Sequence, residues 1–180
     1  DARLVLKGQL LSHDAARNAV AAAFAAAGIG PERVELRAWL PRTGNPLTAY
    51  QDIDIALDTF PYNGTTTTLE ALWMGVPVVT LRGARHSARV GASILTHLGR
   101  PEWIAADVAG YQRAALALAA DLPALAEERR SLRAALRASS LCDAAGFARK
   151  LEATYRELLR THVAAGAGEP SAPVSPPAAT

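Results

Sequence analysis

The densest run of chemistry-bearing residues in this chain is Asn63-Gly64, four threonines from Thr65 to Thr68, and then Glu70. Gly64 lets the backbone approach a ligand closely, and the threonine hydroxyls can donate and accept hydrogen bonds. A helix beginning here would aim unpaired N–H groups and the positive end of its dipole outward, which suits a phosphate or diphosphate. Thr66 and Thr67 are the first candidates for that contact, through hydroxyls and backbone N–H groups. A Thr that merely caps the helix is the competing reading, and both can hold because a cap uses only some of the free N–H groups. Glu70, one turn in, can accept two sugar hydroxyls as a ribose ligand; it can equally be a first-turn acid that complements the dipole. On the residues alone those two roles are even.

The elements that must position these residues follow from pattern. Ile53 to Leu57 is apolar and β-branched, Phe60-Pro61-Tyr62-Asn63-Gly64 is a turn cluster, Thr66 to Met74 has helical spacing stopped by Gly75, and Pro77 to Leu81 is a second strand. A nucleotide site at the carboxyl end of a parallel strand has this layout. Before it, the pattern predicts a strand over Arg3 to Gly8, a helix over His13 to Ala27 and a strand over Val34 to Trp39. A loop over Leu40 to Pro46 and a short helix over Leu47 to Gln51 follow. After it come a helix over Ser87 to Leu98 closed by Gly99, a short edge strand over Trp103 to Ala105, and helices over Asp107 to Ala120 and Pro123 to Ala138. The last helix runs from Asp143 to about His162, capped by Asp143, with Phe147, Leu151, Tyr155 and Leu158 on one apolar stripe. The expectation is therefore an α/β fold, a Rossmann-like doubly wound parallel sheet over residues 1–163 with long C-terminal helices. Residues 164–180 turn to Ala, Gly, Pro and Ser without periodicity and read as a disordered tail.

Composition narrows the class. A net charge of +2 from 19 basic and 17 acidic residues makes no general case for nucleic acid. The arginines from Arg129 to Arg137 fall beside Glu127 and Glu128 and read as a solvated helix face. Cys142 is the only cysteine, so no intrachain disulfide can form, which fits a cytoplasmic setting. No apolar run approaches the roughly 20 residues of a membrane span. The chain opens on Asp1 and is core-like from Arg3, so we expect a piece of a longer protein whose upstream domain is missing.

The ordered set Asp54-x-x-x-Asp58-Thr59, Asn63-Gly64-x-Thr66-Thr67, Leu72-Trp73-x-Gly75-x-Pro77, Arg89-Val90-x-Ala92-Ser93 and Leu98-Gly99 resembles the C-terminal donor-binding part of the O-linked N-acetylglucosamine transferases and their bacterial, SPINDLY-like relatives. The resemblance runs from about Arg3 to about Leu159. It implies the C-terminal half of an inverting, metal-independent GT-B glycosyltransferase whose donor is a UDP-sugar or GDP-sugar and whose acceptor is a protein or peptide hydroxyl. It implies no cofactor and no metal, with the nucleotide-sugar itself as substrate. The donor-binding residues it carries over are Asn63, Gly64, Thr65, Thr66, Thr67 and Glu70, with Arg42 supplying positive charge near the base. Catalytic groups, including a Lys that contacts the diphosphate, are implied upstream, in an N-terminal GT-B domain with helical repeats before it. Two positions depart from the pattern. Thr65 stands where some relatives have His, so a hydroxyl must serve in its place at the phosphate or leaving group; Pro46 stands where a His is expected, which leaves uracil against guanine open, and Arg42 as a plain surface charge is an equal reading.

Other polar residues carry less. Asp54 and Asp58 lie four apart on the expected strand, hence on one face, but Asp58 precedes a Pro-containing turn and is better placed to shape that loop. Neither is assigned a catalytic role. Arg89 opens a helix, where a cation is unfavourable, and should pair with an acid or a phosphate. His86 lies on the cleft side of the sheet. Lys7 reads as a partly buried stem, His13 as a helix start, His97 as a helix-end cation, and Trp73 and Met74 as core. The sequence thus points to the donor-binding half of an enzyme transferring a sugar, N-acetylglucosamine from UDP-N-acetylglucosamine, to protein Ser/Thr. The rivals are a GT-B enzyme with a small-molecule or lipid acceptor, and a non-catalytic nucleotide-binding or scaffold module.

Overall fold

The computed structural model describes residues 2–38 and 45–164. The loop with Arg42 and the tail beyond Ala164 therefore lie outside the described residues. Strand β1 (Leu4–Gly8) leads through a 3-10 turn into helix α1 (Asp14–Ala26), and β2 (Val34–Ala38) returns beside β1. The two strands are parallel, in register from Leu4 opposite Val34 to Gly8 opposite Ala38. The second unit is β3 (Ala56–Leu57), α2 (Thr66–Trp73), β4 (Val78–Leu81), α3 (Val90–Leu98) and β5 (Ile104–Ala105), with strand order β3-β4-β5. Both of its pairings are parallel too. Three helices close the chain: α4 (Val108–Ala120), α5 (Leu122–Ala138) and α6 (Ala144–Ala164). The α/β class and its parallel strands stand as expected, but the ladder comes in two pieces rather than one continuous sheet.

The strand expected over Ile53 to Leu57 shrinks to Ala56–Leu57. The backbone bends at Asp54 and Ile55, and Asp54 pairs with Arg129 of α5. Asp54 and Asp58 consequently do not share a strand face. The Asp54 side chain is 78% exposed, whereas Asp58 is 8% exposed.

The core lies where α2, α3 and α5 pack around β4. Leu72, Val76, Val78, Leu95 and Leu132 are fully enclosed, joined by Ile94, Leu98, Trp103 and Leu136. On α5 the buried Leu125, Leu132 and Leu136 recur at helical spacing and form its inner stripe. The turn after α2 is set by Gly75 at φ +74°, where a Cβ would lie 2.6 Å from the Arg129 carbonyl oxygen. Only glycine fits that approach. Asp143 caps α6 as the pattern predicts, accepting from Gly146 N–H, and the two helices before it are capped in the same way, Gly110 N–H donating to Asp107 and Ala124 N–H to Asp121.

Two surface expectations change. Trp73 is not core; it is 39% exposed, with the Arg133 guanidinium 5.6 Å from its ring centre and donating to its carbonyl. Arg129 and Arg133 are thus tied to the segments flanking and ending α2, while among the described residues Arg130 pairs along its own helix with Glu127. On α6 the predicted stripe faces solvent: Phe147, Tyr155 and Leu158 are exposed, and Gly146 is the one buried residue of the helix. No helix among the described residues is long and apolar enough to cross a membrane.

Candidate functional site

The carboxyl ends of β3 and β4 bring the candidate residues together. From Leu57 the chain enters a braced loop. The Thr59 hydroxyl donates to the Tyr62 carbonyl at 2.6 Å, and the Asn63 amide donates from Nδ2 to the Thr59 carbonyl at 3.0 Å. The Asn63 backbone N–H donates across to the Ser87 carbonyl at 2.8 Å, fixing this loop to the segment after β4. Asn63 is 1% exposed, and its Oδ1 has no hydrogen-bond partner among the described residues. Gly64 N–H donates to Asp58 Oδ1 at 2.7 Å.

Helix α2 begins immediately after this loop, and no side chain caps it. Thr65, the N-cap residue, accepts the first backbone bond, from Leu69 N–H at 3.1 Å. Thr65, Thr66 and Thr67 are exposed, whereas Thr68 turns inward and is buried. The capping reading of these threonines therefore fails on geometry. The first turn of α2 carries no side-chain cap, with Thr65, Thr66 and Thr67 exposed at the positive end of the helix. Such an arrangement can hold an anion with several oxygens.

Glu70 is half-buried one turn further in. Its Oε2 lies 3.4 Å from the hydroxyl of Tyr50, which also donates to the Thr67 carbonyl at 3.1 Å. Burial, and then the Glu70 charge, push the Tyr50 phenol up to about 12. Tyr50 was not visible as a site residue in the sequence, because it reaches α2 from the 3-10 turn Pro46–Tyr50, 17 residues upstream of Thr67.

Asp58 behaves as expected of a loop-shaping residue rather than a catalytic one. Its Oδ2 accepts from the Thr80 hydroxyl of β4 at 2.7 Å, and its carbonyl accepts from the Tyr111 hydroxyl of α4 at 2.8 Å. Burial raises the Asp58 carboxyl above the usual 3.8, against the opposing pull of the Gly64 and Thr80 bonds. Burial and the neighbouring Asp58 charge push the Tyr111 phenol up to about 12.

His86 and Arg89 border Ser87, whose carbonyl accepts from Asn63 N–H, but among the described residues no hydrogen bond joins their side chains to this cluster. Arg89, expected to meet an acid or phosphate, is exposed and donates from Nε to the Gly83 carbonyl at 2.9 Å. That bond uses one of the five guanidinium N–H donors. His86 opens an exposed 3-10 turn, and His97 reaches the Ser93 carbonyl within α3 at 2.8 Å. Among the described residues no group of three His, Cys, Asp or Glu side chains gathers to hold a metal ion. A groove of about 550 Å³ lies at the other end of α2, lined by Asp54, Met74, Leu122, Leu125 and Arg129, away from the threonines.

Comparison with known proteins gives the chain a family. The family model described as Glycosyl transferase family 41 matches residues 10–151. A rice (Oryza sativa subsp. japonica) protein described as a probable UDP-N-acetylglucosamine–peptide N-acetylglucosaminyltransferase SPINDLY is 42% identical over 162 residues, covering 90% of this chain and 18% of its own. Its Arabidopsis thaliana counterpart is 37% identical over the same length. A solved mutant O-GlcNAc transferase of Thermobaculum terrenum superposes with a TM-score of 0.81 at 43% identity, covering 89% of this chain and 31% of that one. The chain thus spans under a fifth of the rice relative and about a third of the solved structure. With the model match running from the end of β1 into α6, the chain belongs to glycosyl transferase family 41.

Proposed function

We propose that this chain is the donor-binding part of an inverting, metal-independent GT-B glycosyltransferase that transfers N-acetylglucosamine from UDP-N-acetylglucosamine to a Ser or Thr hydroxyl of a protein. The observation that carries this reading is the uncapped start of α2, with Thr65, Thr66 and Thr67 exposed and Glu70 one turn behind them. The first-turn amides and hydroxyls hold the donor diphosphate, and Glu70 accepts the ribose hydroxyls. In the reaction the acceptor hydroxyl attacks the anomeric carbon, a new C–O bond forms, and the bond to the diphosphate oxygen breaks. Its electron pair leaves on the nucleoside diphosphate, and the hydroxyl proton passes to a base that this chain does not supply. Fixed N–H dipoles at the helix start stabilise the charge that builds on the diphosphate, the kind of preorganised electrostatic effect that dominates many enzymes.

The names of the relatives support a peptide acceptor and a UDP-linked donor. The setting that goes with this reading is cytoplasmic and bacterial. The partner of this unit is an upstream GT-B domain that completes the cleft, with helical repeats before it. Alone, the chain binds nucleotide weakly and does not turn over. Calorimetry with UDP, GDP and ADP, on the chain and on Glu70→Ala, tests this. UDP preference weakened by the substitution supports the reading, and GDP preference keeps the site but moves the donor to a GDP-sugar. No binding by the full-length protein favours a scaffold instead.

A further inference from the structure

Three elements converge on one buried carboxylate. As the chain leaves β3, Asp58 N–H still donates to the Val79 carbonyl at 2.9 Å, and the side chain turns inward. Oδ1 takes the Gly64 N–H and Oδ2 takes the Thr80 hydroxyl, both at 2.7 Å. The cage around them has no slack. A Cβ on Gly91, at the start of α3, would lie 2.5 Å from Asp58 Oδ2 and 2.4 Å from Thr80 Oγ1. A Cβ on Gly64 would lie 2.5 Å from Thr67 Oγ1 and 2.8 Å from Thr68 Oγ1.

A brace for a surface loop does not need a buried charge, which is costly to desolvate. What this position needs is two acceptors at once, and an ionised carboxylate supplies both where an amide supplies one. The Gly64 bond spans six residues and fixes the backbone one residue before the uncapped start of α2. The placement of Gly64 therefore sets where the Thr65, Thr66 and Thr67 N–H groups point. Misplacing such donors by about an ångström is enough to cost up to about 100-fold in a preorganised site.

We propose that Asp58 is a positioning residue of the donor site: by holding the Gly64 amide it aims the first-turn amides of α2, so nucleoside diphosphate affinity depends on it without contact. This rests on the donor-site reading above. Its partner bond to Thr80 serves the fold and not the ligand, which separates the two roles experimentally.

The test measures UDP affinity by calorimetry and thermal unfolding by calorimetric scan, on the full-length protein, for D58A, D58N, T80V and the double variant T66A/T67A. D58A is expected to lose about tenfold or more in affinity, consistent with one lost orienting bond. D58N, which still offers Gly64 an acceptor, recovers most of that loss. T80V lowers the unfolding temperature yet binds UDP within about threefold of wild type. If D58A does not fold, Asp58→Ser, with room for a water against Thr80, takes its place. Affinity that falls in step with unfolding temperature across D58A, D58N and T80V overturns the proposal, since the carboxylate is then structural only. Loss in T66A/T67A with none in D58A or its Ser substitute overturns it while the donor site stands. Undiminished binding by T66A/T67A removes the donor site itself, and the proposal with it.

Discussion

The Tyr50 hydroxyl donates to the Thr67 carbonyl at 3.1 Å while standing 3.4 Å from Glu70 Oε2. A phenol has one proton to give, and the shorter contact takes it. Glu70 is thereby steadied from one side while most of its acceptor capacity stays open to a ligand. The same tyrosine thus links the backbone of the first turn of α2 to the carboxylate one turn on.

Replacing Tyr50 with Phe removes that link and leaves the ring packed against the core. Loss of one half-buried hydrogen bond should lower stability by about 1 kcal/mol. Because Glu70 then samples more rotamers, UDP affinity should fall by roughly threefold, well short of the loss in Glu70→Ala. Calorimetry on the two variants side by side checks the order. Equal losses would mean that Glu70 acts only through Tyr50.

The half-buried phenols give the fold an alkaline limit. Tyr50 and Tyr111 titrate at about 12 in the folded chain, above the ordinary 10. A folded value raised above the unfolded one stabilises the fold below pH 10, and this contribution is lost as pH rises from 10 through about 12. Tyr111→Phe should therefore flatten the fall in unfolding free energy across that window, measured by urea titration at a series of pH values. A slope unchanged from wild type would mean that Tyr111 is open to solvent.

Gly75 should tolerate no side chain. Ala at φ +74° costs about 1–2 kcal/mol in backbone strain, and its Cβ would press on the Arg129 carbonyl, which is backbone and cannot swing away. We expect a loss of at least about 2 kcal/mol, or roughly 4–8 °C in unfolding temperature for a chain of this size. A scan showing less than about 2 °C would mean that α5 shifts easily, contrary to the enclosed Leu132 beside it.

What the sequence made legible was what local chemistry controls. Gly75 and Asp143 act at the helix ends their residue types announce, and the run from Asn63 to Thr67 opens α2 as its pattern implies. What stayed hidden depends on partners far along the chain. Ile53 and Ile55 look like strand residues, yet the backbone bends at Asp54 and Ile55, beside a pair between Asp54 and Arg129, 75 residues apart. Trp73 reads as core because helical spacing places it on an apolar face, but Arg133 covers it at the surface instead. Tyr50, Thr80 and Tyr111 reach the site from three separate segments, and no local pattern could assign them to it.

The Asp58 carboxyl makes a prediction with a definite sign. Its folded value lies above the ordinary 3.8, with burial as the main cause. The fold therefore binds this proton more tightly than the unfolded chain does, and the resulting stability is present below about pH 4 and lost as pH rises through the folded value. An asparagine side chain cannot titrate, so Asp58→Asn lacks this term and carries only a constant penalty for the disturbed Thr80 bond. The unfolding free energy of Asp58→Asn minus that of wild type should rise as pH climbs from about 4 through the folded value, then level off. Urea titrations of both proteins at intervals across that range measure it. A difference that stays flat would show that the Gly64 and Thr80 bonds fully offset burial, and a falling one that they outweigh it.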